Sequence, residues 1–374
     1  MKTRAVLSAV RSSCYSPLTI AGRAIPSLFR HFGSSSQVWR SSTTASASSA
    51  QEEFHDPSTE RKLTTLELQY KVRKGEKLSM ITAYDFPTSR HAENVGFDIV
   101  LVGDSLGMVV LGYNTTQPVT MEEMLHHLKA VRRGAPSRFI VADLPFGSYE
   151  LGIEQAFQNS LRLIKEGGAD AIKLEGGKNR AETVERLVDA GIAIMGHVGL
   201  TPQSIGVLGG FRAQGRTAVK ARAVLDDALA LEKAGAFSVI VECVPSQVAE
   251  ALSSSLEIPV IGIGAGSKTD GQVLVYHDLL GIQAHPHYEK HVPRFCKTYA
   301  QLGHETYTAL KAYHDETKAG EFPTEEYSPY KMSEKEADKF AKLLAGDETI
   351  RRAEGEKTRE KLMEADEYGH LKLY

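Results

Sequence analysis

Cysteine is scarce: three residues in 374, Cys14, Cys243 and Cys296, at unrelated spacings. That excludes a disulfide framework and a cysteine-based zinc site. No apolar run approaches the roughly 18 residues that a bilayer-spanning helix needs, so no membrane partner is expected. Neither charge sign dominates, since 44 Lys and Arg face 47 Asp and Glu for a formal net charge of -3. A chain so balanced has no field drawing it to nucleic acid. Also missing is a GxGxxG after the first strand, which ends instead in AYDFPT, and this argues against an open dinucleotide-binding sheet.

One absence is local. No acid precedes Glu52, while Lys2, Arg4, Arg11, Arg23, Arg30 and Arg40 are spread among serines and scattered apolar residues. Basic, serine-rich and acid-free is the composition of an organelle transit peptide, where an amphipathic basic segment is read by import receptors. Residues 1–50 are therefore expected to be a disordered mitochondrial transit peptide, and the matrix the working compartment. Unpaired cysteines suit that reducing space.

From about Leu63 the chain alternates. Short β-branched runs end in Gly, Asp, Pro or Glu, and each is followed by a stretch of helical period. The runs are SMITAYD, DIVLVGD, RFIVADLP, DAIKLEGG, IAIMGHVGL, FSVIVECVP and IPVIGIGAG, with a brief eighth strand expected around HDLLGIQ. Strands apolar on both faces, joined by helices, imply a parallel sheet with right-handed crossovers. Repeats of this kind close most naturally into a (β/α)8 TIM barrel, placed at residues 60–320. TTLELQYKVRKGE, ahead of the first strand, is expected to close the barrel bottom. Residues 321–374 form a charged, helical C-terminal extension with no evident chemistry.

In such a barrel the carboxyl ends of all strands meet on one face, where chemistry resides. The second strand ends on Asp104 and Ser105, the third on Asp143, the fifth on His197 and the sixth on Glu242. The fourth carries Lys173 and Glu175, two apart and so on one side. Acids gathered on one rim repel unless a cation or proton relieves them. Asp104, Asp143 and Glu175 come from adjacent strands and offer only oxygen, the ligand chemistry of a hard divalent ion such as Mg2+. Capping of the following helices is the structural alternative for any one acid. Lys173 suits an anion or enolate. Glu242, apart from the trio in strand order, is the candidate general base. His197 is either a substrate ligand or a satisfied core histidine. His285, His287 and His291 in HPHYEKH lack a fourth ligand and make a poor zinc site.

Assembled in order, ITAYD, LVGDSLGM, TTQPVTMEEMLHH, AVRRGAP, ADLPFGSY, IKLEGG, GHVGLTPQS, GGFRAQGR, ECVP and IPVIGIGAG resemble the ketopantoate hydroxymethyltransferase family from about Leu63 to Phe295. The resemblance implies a barrel that makes 2-dehydropantoate from 3-methyl-2-oxobutanoate, with 5,10-methylenetetrahydrofolate as co-substrate. It implies Mg2+ on Asp104, Asp143 and Glu175, and the 2-oxo acid on Asp104, Ser105, Asp143 and Lys173. Glu242 would be the proton acceptor, and the assembly a homo-oligomer, as large as a decamer. The sequence departs from the family pattern at Asn114, at an apparent HPHYEK insertion and at both extended termini. Rival readings are an Mg-dependent lyase or mutase on another 2-oxo acid, and a non-catalytic barrel scaffold.

Overall fold

Eight parallel strands close on themselves in chain order, with β1 hydrogen-bonded to both β2 and β8. The computed structural model describes residues 61–282 and 293–345. The transit segment, the HPHYEKH histidines and the end of the charged C-terminal stretch lie outside the described residues. The strands are β1 (Leu78–Thr82), β2 (Ile99–Val102), β3 (Phe139–Asp143), β4 (Ala171–Glu175), β5 (Ile194–Gly199), β6 (Ser238–Glu242), β7 (Val260–Ile263) and β8 (Gly271–Leu274). The helices are α1 (Thr65–Arg73), α2 (Phe86–Val95), α3 (Leu106–Val109), α4 (Met121–Gly134), α5 (Ile153–Lys165), α6 (Ala181–Asp189), α7 (Ile205–Leu208), α8 (Ala218–Lys233), α9 (Ser246–Ser255), α10 (Tyr276–Leu280), α11 (Leu302–Ala319) and α12 (Glu334–Leu344).

Local chemistry sets the helix limits. Thr120 caps α4 through the Glu123 amide while Glu123 reaches back to the Thr120 amide, and Arg132 and Arg133 complement the dipole at the far end. Asp85 and Thr88 form the same reciprocal pair at the start of α2, which ends on Gly96 in the left-handed region. The expected strand SMITAYD is therefore shorter than its apolar run, because Asp85 is taken up as a cap.

The period of two along each strand divides the core. Outward residues such as Val100, Ile140, Ile172, Ile194 and Val239 pack under the helices in one cluster. Inward residues Leu78, Met80, Ile99, Leu101, Phe139, Val141, Met195, Ile240 and Ile261 fill the lower barrel in another, which Leu68 of α1 joins, fully buried. Phe139 and Phe237 meet edge-to-face there, with centroids 5.7 Å apart. The expectation that the first helix plugs the barrel bottom is met.

The eighth strand is not where the sequence reading put it. It is GQVL, ahead of α10, whereas His277 to Leu280 of the expected segment lie in α10 and Gly281 in a turn. Only four residues long and opened by Gly271 and Gln272, it has almost no apolar period to detect. Backbone pairing defines it instead: Gly271 aligns with Leu78 on one side and Ile261 on the other. A Cβ at Gly271 would sit 2.6 Å from the Leu78 carbonyl oxygen, so glycine is what lets the barrel shut. Beyond Gly303, α11 and α12 are almost wholly exposed.

Candidate active site

Each inward column changes character partway up. Val141 gives way to Asp143, Ala171 to Lys173 and then Glu175, Met195 to His197, and Ile240 to Glu242. All four strands therefore deliver ionisable groups to the same height, with apolar layers beneath that fix them rigidly. Asp104, Asp143, Lys173, Glu175 and His197 are all buried, at 2% to 4% exposure.

The predicted residues come together. Lys173 Nζ lies 2.9 Å from Asp143 Oδ1 and 3.3 Å from His197 Nδ1. Asp143 Oδ2 accepts from the Asp104 amide at 3.1 Å. His197 stands between the acids, with Nδ1 3.5 Å from Glu175 Oε1 and Nε2 3.3 Å from Glu242 Oε2, the latter off the line of a good hydrogen bond. Because Lys173 can only donate, Nδ1 accepts, and the ring proton sits on Nε2 facing Glu242. Ser105 Oγ is 2.8 Å from the hydroxyl of the buried Tyr84. Asp85, by contrast, belongs to its helix cap and takes no part.

Three participants escaped the sequence reading. Tyr84 supports Ser105; Tyr149 and Gln203 are buried among the acids. Gln203 Nε2 donates to Asp104 Oδ2 at 2.8 Å and to the Leu144 carbonyl at 2.9 Å, and its amide N–H donates to Glu175 Oε2 at 3.0 Å. The only signal for Gln203 was its place in TPQ, directly after a strand end. As a neutral side chain in a loop it offers no charge or period to notice.

Electrostatics follow from burial. Desolvation raises the Asp143 pKa to about 7, against the lowering effect of Lys173, and the Asp104 charge raises it further. Glu175 is pushed well up by burial, with Lys173 opposing and Asp104 adding to the rise. Burial alone would depress Lys173, but Asp143, Glu175 and Asp104 outweigh it and keep the ammonium charged. His197 is lowered by desolvation and then by Lys173, hence neutral. Cys243, next to Glu242, is pushed up to about 12 by burial and by that carboxylate, so its thiol is inert as a nucleophile. Its φ of 50° is a rare value for a side chain, held by bonds from the Cys243 amide to Ile263 and from the Gln214 amide to Cys243.

These groups open into a cavity of about 490 Å³ whose wall includes Asp104, Ser105, Glu242, Met108, Phe211 and Phe295. Asp104, Asp143 and Glu175 offer only carboxylate oxygen, as a hard cation prefers. Among the described residues no three His, Cys, Asp or Glu side chains form a ready-made cage, since Asp143 leans on Lys173 while Asp104 and Glu175 lean on Gln203. Yet three buried acids surround one lysine, and the buried Glu175 Oε1 has no hydrogen-bond partner. Donor type and charge both fit a divalent ion.

A family model described as ketopantoate hydroxymethyltransferase matches residues 62–325. A 3-methyl-2-oxobutanoate hydroxymethyltransferase 1, mitochondrial, of Arabidopsis thaliana is 51% identical over 281 residues, covering 75% of this chain and 81% of the relative. Its counterpart in Oryza sativa subsp. japonica is 50% identical, covering 76% and 78%. The 3-methyl-2-oxobutanoate hydroxymethyltransferase of Moorella thermoacetica is 52% identical, covering 71% and 97%. Among solved structures, a phosphoenolpyruvate phosphomutase from Streptomyces platensis subsp. rosaceus is similar at 14% identity and a TM-score of 0.47, covering 78% of this chain and 99% of that one.

Proposed function

The chain belongs to the ketopantoate hydroxymethyltransferase family, and from that membership we propose that it makes 2-dehydropantoate from 3-methyl-2-oxobutanoate. The one-carbon donor in this reading is 5,10-methylenetetrahydrofolate. The observation that carries it is Glu242: a carboxylate in the cavity that, among the described residues, meets no lysine or arginine within 4 Å, only neutral His197. Such a group is free to accept a proton.

Asp104, Asp143 and Glu175 would hold Mg2+, which when bound supplies Lewis-acid charge to the oxygens of the 2-oxo acid. Lys173, kept protonated by its acidic neighbours, adds a second fixed positive charge beside them. Ser105, steadied by Tyr84, donates toward the acid end of the substrate. His197 stands beside Glu242, its Nε2 3.3 Å from Oε2. Glu242 removes the C3 proton; C3 then bonds to the one-carbon unit as its two bonds to folate nitrogens break, and water supplies the hydroxyl oxygen, so that tetrahydrofolate leaves. The apolar wall of Met108, Phe211 and Phe295 offers a face for the folate ring system.

The mitochondrial names of the plant relatives and the acid-free, arginine-rich residues 1–50 support import into the matrix. Exposed Tyr307, Leu310 and Tyr313 on α11, each more than half exposed, support association of copies into a homo-oligomer. The test of function is formation of 2-dehydropantoate by the purified full chain with magnesium, with and without 5,10-methylenetetrahydrofolate. Folate-dependent product is expected. No product, with magnesium-dependent cleavage of another 2-oxo acid instead, overturns the reading in favour of a lyase.

A further inference from the structure

We infer that Gln203 is a positioning residue that sets two of the three proposed metal carboxylates, Asp104 and Glu175, for the cation, an inference that rests on the metal reading above. One residue of the loop after β5 reaches the exits of all three acid-bearing strands. It bonds Asp104 after β2, the Leu144 carbonyl directly after Asp143 of β3, and Glu175 of β4. Two of these bonds come from its side chain and the third from its backbone amide.

The hydrogen bonds fix the amide's orientation. Asp104 Oδ2 and the Leu144 carbonyl can only accept, so the nitrogen must face them and Oε1 must turn away. Tyr149 OH donates to that Oε1 at 2.5 Å, and its own oxygen accepts from the Glu175 amide at 3.3 Å. The ring closes on Glu175, whose backbone holds Tyr149 while its carboxylate is held by the Gln203 amide. Gln117 Nε2 anchors the Gln203 carbonyl from a second loop at 2.9 Å. Gln203 itself is only 2% exposed.

The division of labour between oxygens gives the arrangement its purpose. Gln203 occupies one oxygen of Asp104 and one of Glu175, and leaves Glu175 Oε1 buried with no hydrogen bond. Outer hydrogen bonds of this kind orient a ligand and leave its second oxygen for the ion. A neutral donor is required: a lysine here would cancel the charge that attracts the cation, and an acid would add to the repulsion.

The experiment is Mn2+ binding to the full-length protein, followed by electron paramagnetic resonance without substrate, so that turnover plays no part. Gln203→Met keeps length and apolar volume and removes both side-chain donations. It is expected to weaken Mn2+ by about 10- to 100-fold, the range for loss of an outer-shell partner. Activity at saturating magnesium should recover more than activity at limiting magnesium, a split that a packing role would not produce. Tyr149→Phe frees the amide to turn and should weaken Mn2+ by a smaller factor; it also serves if Gln203→Met does not fold. Wild-type affinity in a folded Gln203→Met, or in Tyr149→Phe should that variant stand alone, overturns the clamp. Wild-type protein that binds no Mn2+ overturns the metal reading itself, and so separates the two failures.

Discussion

The two ends of the same barrel treat their acids in opposite ways. At the bottom, Asp98, Asp170 and Asp270 each stand one residue before a strand, β2, β4 and β8. Each accepts a backbone N–H from the neighbouring strand: Ser79, Ile140 and Val260, at 2.8, 2.8 and 2.9 Å. Asp98 also meets Lys71, and Asp170 meets both Lys62 and Arg132. These acids tie strand to strand, and Asp98 and Asp170 are matched by cations as well. At the top, Asp143 takes the one lysine, Glu175 Oε1 has no hydrogen bond, and Glu242 faces a neutral histidine. What distinguishes an acid kept for structure from one kept for chemistry is therefore the tally of its partners. Incomplete satisfaction at the rim is a cost in stability, and under the proposed function it leaves room for a cation, a substrate and a proton.

Substitutions at the two ends should separate activity from stability. The largest effect is expected from Glu242→Gln, which keeps shape and removes the base: turnover should fall by about 10²- to 10⁴-fold. Exchange of the C3 proton of 3-methyl-2-oxobutanoate into deuterated solvent should vanish, while the melting temperature holds; persistent exchange would take the base role from Glu242. Next is Leu68→Ala at the barrel floor, where a cavity under a fully buried side chain costs about 2–5 kcal/mol. Denaturant titration should record that loss, with kcat of the folded protein unaltered.

Asp170→Asn keeps an acceptor for Ile140 but loses its charge to Lys62 and Arg132, both only partly buried. A loss of about 1–3 kcal/mol is expected, again without effect on kcat. The rim counterpart, Asp104→Asn, should behave inversely. Its Oδ1 can still accept from Gln203, and a like charge beside Asp143 and Glu175 is gone. Stability should stay within about 1 kcal/mol of wild type or rise, as for other residues strained for function, while Mn2+ affinity and activity fall. A destabilised Asp104→Asn with intact activity would erase the contrast between the two ends.

Much of this was legible before any coordinates. Strand runs, their spacing and the change from apolar to ionic at each run's end placed Asp104, Asp143, Lys173, Glu175, His197 and Glu242 on one rim, because a period of two and parallel closure leave few alternatives. The eighth strand was misplaced because four residues opened by Gly and Gln carry no period. His197 stood open between ligand and core residue; its position between Lys173 and Glu242 is a fact of three strands meeting. Asp85, the last residue of the expected run SMITAYD, is held by Thr88 in the cap of α2.

By itself the sequence determined the barrel and its polar rim, since these depend on pattern along the chain. Partnership was decided only by tertiary structure: which nitrogen of His197 carries the proton, which acids are fully bonded, and that Gln203 and Tyr149 brace them. Hydrogen bonds between residues 28 to 99 positions apart leave no periodic trace along a chain. They exist only once the strands that carry them have closed.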